Sequence, residues 1–182
     1  PEKFVLYVGD VTWNKNLPRL IEAIKKLDVK LVLVGSALAR SDFDKTNPWN
    51  QDLLKVQKMI ENDKRFIKLG FVPTEDLVVL YNIATVFAMP SIYEGFGLPV
   101  LEAMSCGCPV VTTKEGSLKE IGGDAAYFVD GYSVDSIAEG VDKVFSDSPH
   151  KKNFLQKGLL QARRFSWRQT SEKTIGVYKG IV

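Results

Sequence analysis

The chain has 182 residues, 45% hydrophobic and 25% charged, with 24 Lys+Arg against 22 Asp+Glu. That length suits one domain burying roughly 70% of the surface its unfolded chain exposes, so no disulfide or metal staple is needed to hold it. A formal charge of +2 gives no reason to expect nucleic acid, no apolar run reaches the ~20 residues of a transmembrane segment, and no signal-peptide pattern opens the chain.

Phe4 to Val8 is a short apolar run closed by Gly9, which predicts a buried strand. After the loop Asp10 to Lys15, Asn16 is expected to cap a helix that tolerates Pro18 in its first turn. Leu17, Leu20, Ile21, Ile24 and Leu27 recur at helical spacing as one apolar stripe. Lys30 to Val34 repeats the strand pattern and again ends at glycine, Gly35. Residues 36–49 form a long polar stretch containing Asn47-Pro48, and long loops are more often functional than idle.

A helix over about 50–62 precedes a strand at Phe66 to Leu69. Thr74 is expected to cap the next helix, with Leu77, Leu80 and Tyr81 as its buried face. Ala84 to Met89 predicts a strand, and Leu98 to Cys106 a helix entered through a glycine-rich loop. Pro109 to Thr112 and Ala126 to Val129 predict two more strands, followed by helices over about 133–146, 149–164 and 167–180. Strands that are nearly continuous apolar runs and alternate with helices indicate a parallel sheet covered on both faces. The predicted fold class is α/β, a Rossmann-like doubly wound sheet in one domain over residues 1–182. Such sheets bind ligands beyond the carboxyl ends of their strands, here after Val8, Val34, Leu69, Met89 and Thr112.

The segment Ser91 to Glu102 carries the most chemistry. Gly95 and Gly97 let the backbone approach a ligand, and Pro99 suits a first helical turn. The N–H groups of residues 97–100 are therefore expected to point into the crevice, where a helix start suits a phosphate or diphosphate. Glu94 on the loop and Glu102 about one turn into the helix are expected to face that crevice as acceptors for hydroxyl groups. Anion site and hydroxyl acceptors together describe a sugar nucleotide. Two carboxylates beside a diphosphate call for a cation, and Lys15 shares the same sheet edge.

Other readings of these residues are weaker. Gly95-x-Gly97 opens a dinucleotide fingerprint, but Val100 occupies the third glycine position. No G-K-[ST] phosphate loop is present. Cys106 and Cys108 read as packed thiols at a helix end and fit a reduced, cytoplasmic setting. His150, the one histidine, reads as a surface side chain in an interhelix loop. Arg163 and Arg164 read as a solvated helix end, and Phe165, Trp167 and Tyr178 as packing anchors for the last helix.

Four segments resemble the nucleotide-sugar-binding half of a retaining GT-B glycosyltransferase of family 4 (glycosyl transferases group 1). They are Tyr7-Val8-Gly9 to Lys15-Asn16, Leu69 to Val72, Glu94 to Glu102, and Ala103 to Val111, spread over nearly the whole chain in the family's order. The resemblance implies that Glu94 contacts donor-sugar hydroxyls and that Glu102 holds the ribose. It also implies that backbone amides of Phe96, Gly97 and Leu98, beside Gly95, meet the sugar and diphosphate. Lys15, behind Gly9, would bind the diphosphate, and the backbone of Val72 would read the base edge. Lys15 and Glu94 are then the residues expected to act on catalysis. Many relatives carry arginine where this chain has Asp10, so either Lys15 works alone or Arg19 or Arg40 supplies further charge.

The implied donor is a UDP- or GDP-sugar, with no cofactor, no metal and retention at the anomeric carbon. Proposals for the family have the leaving phosphate itself deprotonate the acceptor. The stretch Gly9-Asp10-Val11-Thr12-Trp13-Asn14-Lys15-Asn16 inclines toward a mannosyl donor. The chain starts almost at its first strand, so the expectation is the C-terminal donor half of a GT-B fold, acting with an N-terminal acceptor-binding domain of the same full-length enzyme. Any attachment to a membrane would be peripheral, through that domain. A GT-B-fold sugar-nucleotide epimerase and a noncatalytic nucleotide-sugar-binding module are the alternatives.

Overall fold

The computed structural model describes residues 2–146 and 148–181, and the side chains of all of these except 148–150. Among them are six strands, mainly apolar or β-branched apart from Lys30 and Lys68: β1 Phe4–Val8, β2 Lys30–Val34, β3 Phe66–Gly70, β4 Val86–Met89, β5 Val110–Thr112 and β6 Ala126–Phe128. They form one sheet in the order β3-β2-β1-β4-β5-β6, and every neighbouring pair is parallel. Eight α-helices among the described residues connect and cover them: α1 Leu17–Lys25, α2 Gln51–Ile60, α3 Thr74–Ile83, α4 Leu98–Ser105, α5 Leu118–Gly122, α6 Val134–Ser146, α7 Ser148–Ala162 and α8 Trp167–Lys179.

Alternation along the central strands feeds two cores, one on each face of the sheet. Val5, Tyr7, Leu31, Leu33, Val86 and Ala88 pack with α1, α2 and α6. Phe4, Leu6, Val32, Val34, Phe87 and Met89 pack with α3, α4 and α5. Period-two side chains on strands buried from both sides explain the unbroken apolar runs. β3 is one of the two edge strands, and its Ile67 and Leu69 remain exposed.

Positions β1 and β4 are adjacent in the sheet but distant in sequence. The chain leaving β1 enters α1 on one face, whereas the chain leaving β4 enters α4 on the other. Between two loops that diverge in this way a crevice opens at the carboxyl edge.

The structure departs from the sequence expectations in several places. α5 was not expected; its five residues are too few for a periodic signal, although Leu118 and Ile121 are both buried. Asn16 holds the N-cap position of α1 without a capping side-chain bond, and Thr74 is the first residue of α3, behind Pro73. His150 lies in the first turn of α7 rather than in a loop; its side chain falls outside those described. Trp167 and Tyr178 do not anchor α8: no residue of that helix is buried, and Trp167 is 77% exposed. Of the expected anchors only Phe165 packs, edge-on against Phe96 with ring centroids 6.1 Å apart.

Candidate functional site

Lys15 ends a short 3₁₀ turn, Trp13–Lys15, in the loop after β1. Its Nζ donates to Oε1 of Glu94 at 2.8 Å, and both side chains are mostly buried. The two residues expected to bracket the donor are thus already in contact. Either charge alone would be costly in a partly dry site, so each offsets the burial of the other.

The loops carrying the pair are tied together beside it. The Ile92 N–H donates to the Asn14 carbonyl at 2.8 Å, and Asn14 Nδ2 donates to the Tyr93 carbonyl at 3.0 Å. On the far side, Ser117 Oγ donates to the Phe96 carbonyl at 2.7 Å and lies 3.1 Å from the Glu94 carbonyl, which accepts from the Ser117 N–H at 3.3 Å. Gly116, with φ +56°, permits this approach: a Cβ there would stand 2.5 Å from the Glu94 carbonyl oxygen.

α4 begins as expected just beyond, with Pro99 in its first turn. Of residues 97–100, however, Pro99 has no N–H, and the Val100 N–H turns back to the Gly97 carbonyl at 3.0 Å. The backbone N–H groups of Phe96, Gly97 and Leu98 donate no hydrogen bond among the described residues. These three, with Lys15, form the anion-seeking part of the site. Gly97 is required by the protein itself, since its φ is +101° and a Cβ would press to 2.7 Å from Leu118. Gly95 differs, because a Cβ added there would meet no protein atom within 4 Å.

Glu102 occupies different surroundings from Glu94. Its Oε2 accepts from the Tyr81 hydroxyl at 2.9 Å, leaving Oε1 uncommitted. Burial, and then the Glu102 carboxylate beside it, push the Tyr81 phenol well above its ordinary range, so it stays a donor. Glu102 and Tyr81 share a largely apolar groove of about 610 Å³ with Leu77, Leu98, Leu101 and Phe165. Phe96 and Leu98, two of the residues with an unpaired N–H, also line it.

The remaining expected residues divide. Val72 is half-buried, and its backbone makes no hydrogen bond among the described residues. The Gly9 N–H is held by the Val34 carbonyl at 2.9 Å. Asp10 is exposed, and its carbonyl accepts from Tyr7. Arg19 is engaged by Asn16 at 2.9 Å and lies over the Tyr132 ring. Burial pushes the Cys108 thiol up to about 12, in keeping with a packed thiol. Among the described residues, no group of three or more His, Cys, Asp or Glu is placed to hold a metal ion, and no helix is long and apolar enough to cross a membrane.

Sequence reasoning missed Asn14, Tyr81 and Ser117 as parts of this site. Tyr81 was assigned to the helix core, and its hydroxyl is the clue that it also needs a polar partner.

The family model described as Glycosyl transferases group 1 matches residues 1–160. This chain belongs to that family. It is 38% identical over 179 residues to the O-antigen chain mannosyltransferase B of Escherichia coli, a match covering 97% of this chain and 45% of that protein. A D-inositol 3-phosphate glycosyltransferase of Corynebacterium urealyticum is 30% identical over 164 residues, with coverages of 89% and 38%. The chain therefore spans less than half the length of these curated relatives.

Among solved structures, sucrose-phosphate synthase from Thermosynechococcus elongatus superposes with a TM-score of 0.82 at 26% identity, covering 99% of this chain and 45% of that one. Anabaena HepE in complex with UDP and glucose gives 0.82 at 21% identity, with coverages of 97% and 48%, which establishes likeness of fold. A group 1 glycosyltransferase chain on a Rossmann-like sheet with GT-B neighbours is the result.

Proposed function

We propose that this group 1 glycosyltransferase chain is the donor-binding domain of a retaining, metal-independent enzyme that moves a sugar from a nucleoside diphosphate sugar to an acceptor hydroxyl. One observation carries the reading: Lys15 meets Glu94 at 2.8 Å, directly before a helix start with three unpaired N–H groups. In this reading the diphosphate seats against Phe96, Gly97 and Leu98 and draws Lys15 from Glu94. Glu94 is then free to accept hydrogen bonds from the sugar. Glu102 takes the ribose hydroxyls through its uncommitted oxygen while Tyr81 fixes its rotamer. The backbone of Val72, unbonded among the described residues, meets the base edge in this reading.

The chemistry asked of this chain is electrostatic. As the sugar–phosphate bond breaks, negative charge grows on the diphosphate, and fixed N–H dipoles with a Lys ammonium stabilise it without reorganisation. The 38% identity to a named mannosyltransferase supports mannose as the transferred sugar. The unburied α8, with exposed Ile175, Val177 and Tyr178, supports a second, acceptor-binding domain as partner.

Calorimetric titration of this chain with UDP, GDP and their sugar conjugates tests the reading. The expected result is binding of one nucleotide series without sugar transfer. Failure of all four ligands to bind at millimolar concentration would overturn it.

A further inference from the structure

We propose that Asn16 is the positioning residue of this site: it locks the loops after β1, β4 and β6 into one frame that presents Lys15 to Glu94. The inference rests on the donor-site reading above.

Asn16 is 2% exposed, and its backbone is left-handed, at φ 58° and ψ 28°. A non-glycine residue in that region is held there by its surroundings. What holds it is the side chain. Nδ2 donates to the carbonyls of Pro90 at 2.9 Å and Gly131 at 2.6 Å, and Oδ1 accepts from Arg19 at 2.9 Å. Both amide N–H donors are therefore used, each on a different loop.

Few residues meet these demands. Glycine adopts the backbone angle without any side chain. Ionised aspartate would set acceptors against two carbonyls, and serine carries a single donor. Asparagine combines tolerance of the left-handed region with two donors.

The placement gives the consequence. Asn14 grips residues 92 and 93 through its carbonyl and its amide, and Asn16 grips residue 90. Lys15 lies between two anchored neighbours, and Glu94 is the first residue beyond the gripped segment. Lys15 and Glu94 thus meet because the residues beside them are fixed, so Asn16 acts on the ligand through Lys15.

The test is a double-mutant cycle on nucleotide affinity in the full chain, using whichever of UDP or GDP the wild type binds. Asn16→Gly keeps the left-handed backbone and should weaken the nucleoside diphosphate roughly tenfold at a temperature where the variant remains folded by circular dichroism. Added to Lys15→Ala, it should cost less than about twofold further, because the geometry it supports is already lost. A role confined to stability would instead leave affinity intact while lowering Tm. Should Asn16→Gly not fold, Asn16→Ser keeps a single donor without adding a buried charge, and the same cycle applies.

Wild-type affinity in the folded single variant, or full additivity with Lys15→Ala, overturns the inference while leaving the donor reading in place. A wild type that binds neither nucleotide overturns both, through the donor reading.

Discussion

Lys15 Nζ and Glu94 Oε1 are 2.8 Å apart across 79 residues of sequence. The contact neutralises the two charges against each other before any ligand arrives, and it makes each residue's availability depend on the other. In the proposed reading a diphosphate competes with Glu94 for the lysine, so binding would exchange one charge-assisted hydrogen bond for another.

Lys15→Ala is accordingly expected to weaken UDP or GDP by about 1.5–3 kcal/mol, the range for a hydrogen bond to a charged group. Glu94→Gln removes the competitor, so it should leave the bare diphosphate unchanged or slightly tighter. The sugar conjugate should lose affinity in the same variant. Titration of both variants with the nucleoside diphosphate and its sugar conjugate decides the matter. Equal loss of the bare diphosphate in both variants would contradict the exchange.

Glu102 and Tyr81 give a graded prediction. Glu102→Gln keeps the shape but weakens acceptance from hydroxyls, so it should reduce affinity for the diphosphate and its conjugate alike. Tyr81→Phe leaves the carboxylate in place and removes only the donor that fixes its rotamer. Its loss should be in the same direction and smaller. Dissociation constants for the two variants, measured side by side, check the order.

Much of this was legible in the sequence because the sheet is buried on both faces. The strands announce themselves as mainly apolar runs, least cleanly at β3 with its central Lys68, and the loops bearing Lys15 and Glu94 follow from strand order. α5 was not legible, since five residues carry little periodicity, and Trp167 misled because an aromatic on a helix does not reveal which way that helix turns. The ties through Asn14, Asn16 and Ser117 were hidden for another reason. Each joins backbone groups of segments far apart in sequence, as with Asn16 to Gly131 across 115 residues, and no local pattern encodes such a bond. Asn16 read as a helix cap because that is what asparagine before a helix does most often.

A stability prediction comes from the far end of the molecule. Asp63 accepts from the backbone and side chain of Arg65, and Arg65 in turn reaches the Leu27 carbonyl. Those hydrogen bonds hold the Asp63 carboxyl down from its ordinary 3.8 to about 2. A depressed folded-state value contributes stability that is complete above the unfolded value and disappears as pH falls through the folded one. Asp63→Asn should therefore lower Tm by a constant amount from pH 7 to about pH 5. That difference should shrink as pH falls from near 4 toward 2. Melting curves of both proteins across this range are the check, and a difference that grew on acidification would reverse the sign.

Gly95 and Gly116 separate what the fold requires from what the ligand requires. Gly116 has φ +56°, and an added Cβ would stand 2.5 Å from the Glu94 carbonyl oxygen. Gly116→Ala thus meets both a left-handed backbone, costing roughly 1–2 kcal/mol, and a backbone clash that must displace Glu94. It should lower Tm and nucleotide-sugar affinity together. Gly95 has no positive φ, and nothing lies within 4 Å of its added Cβ. Gly95→Ala should therefore leave Tm within experimental scatter. If the loop carries the donor sugar, the new methyl group intrudes on the ligand rather than on the protein. Affinity for the sugar conjugate should then fall while the bare diphosphate binds nearly as in wild type. Thermal melts paired with titrations of both ligands resolve the two variants. A Gly95→Ala protein with unchanged Tm and unchanged affinity for the conjugate would place the sugar elsewhere.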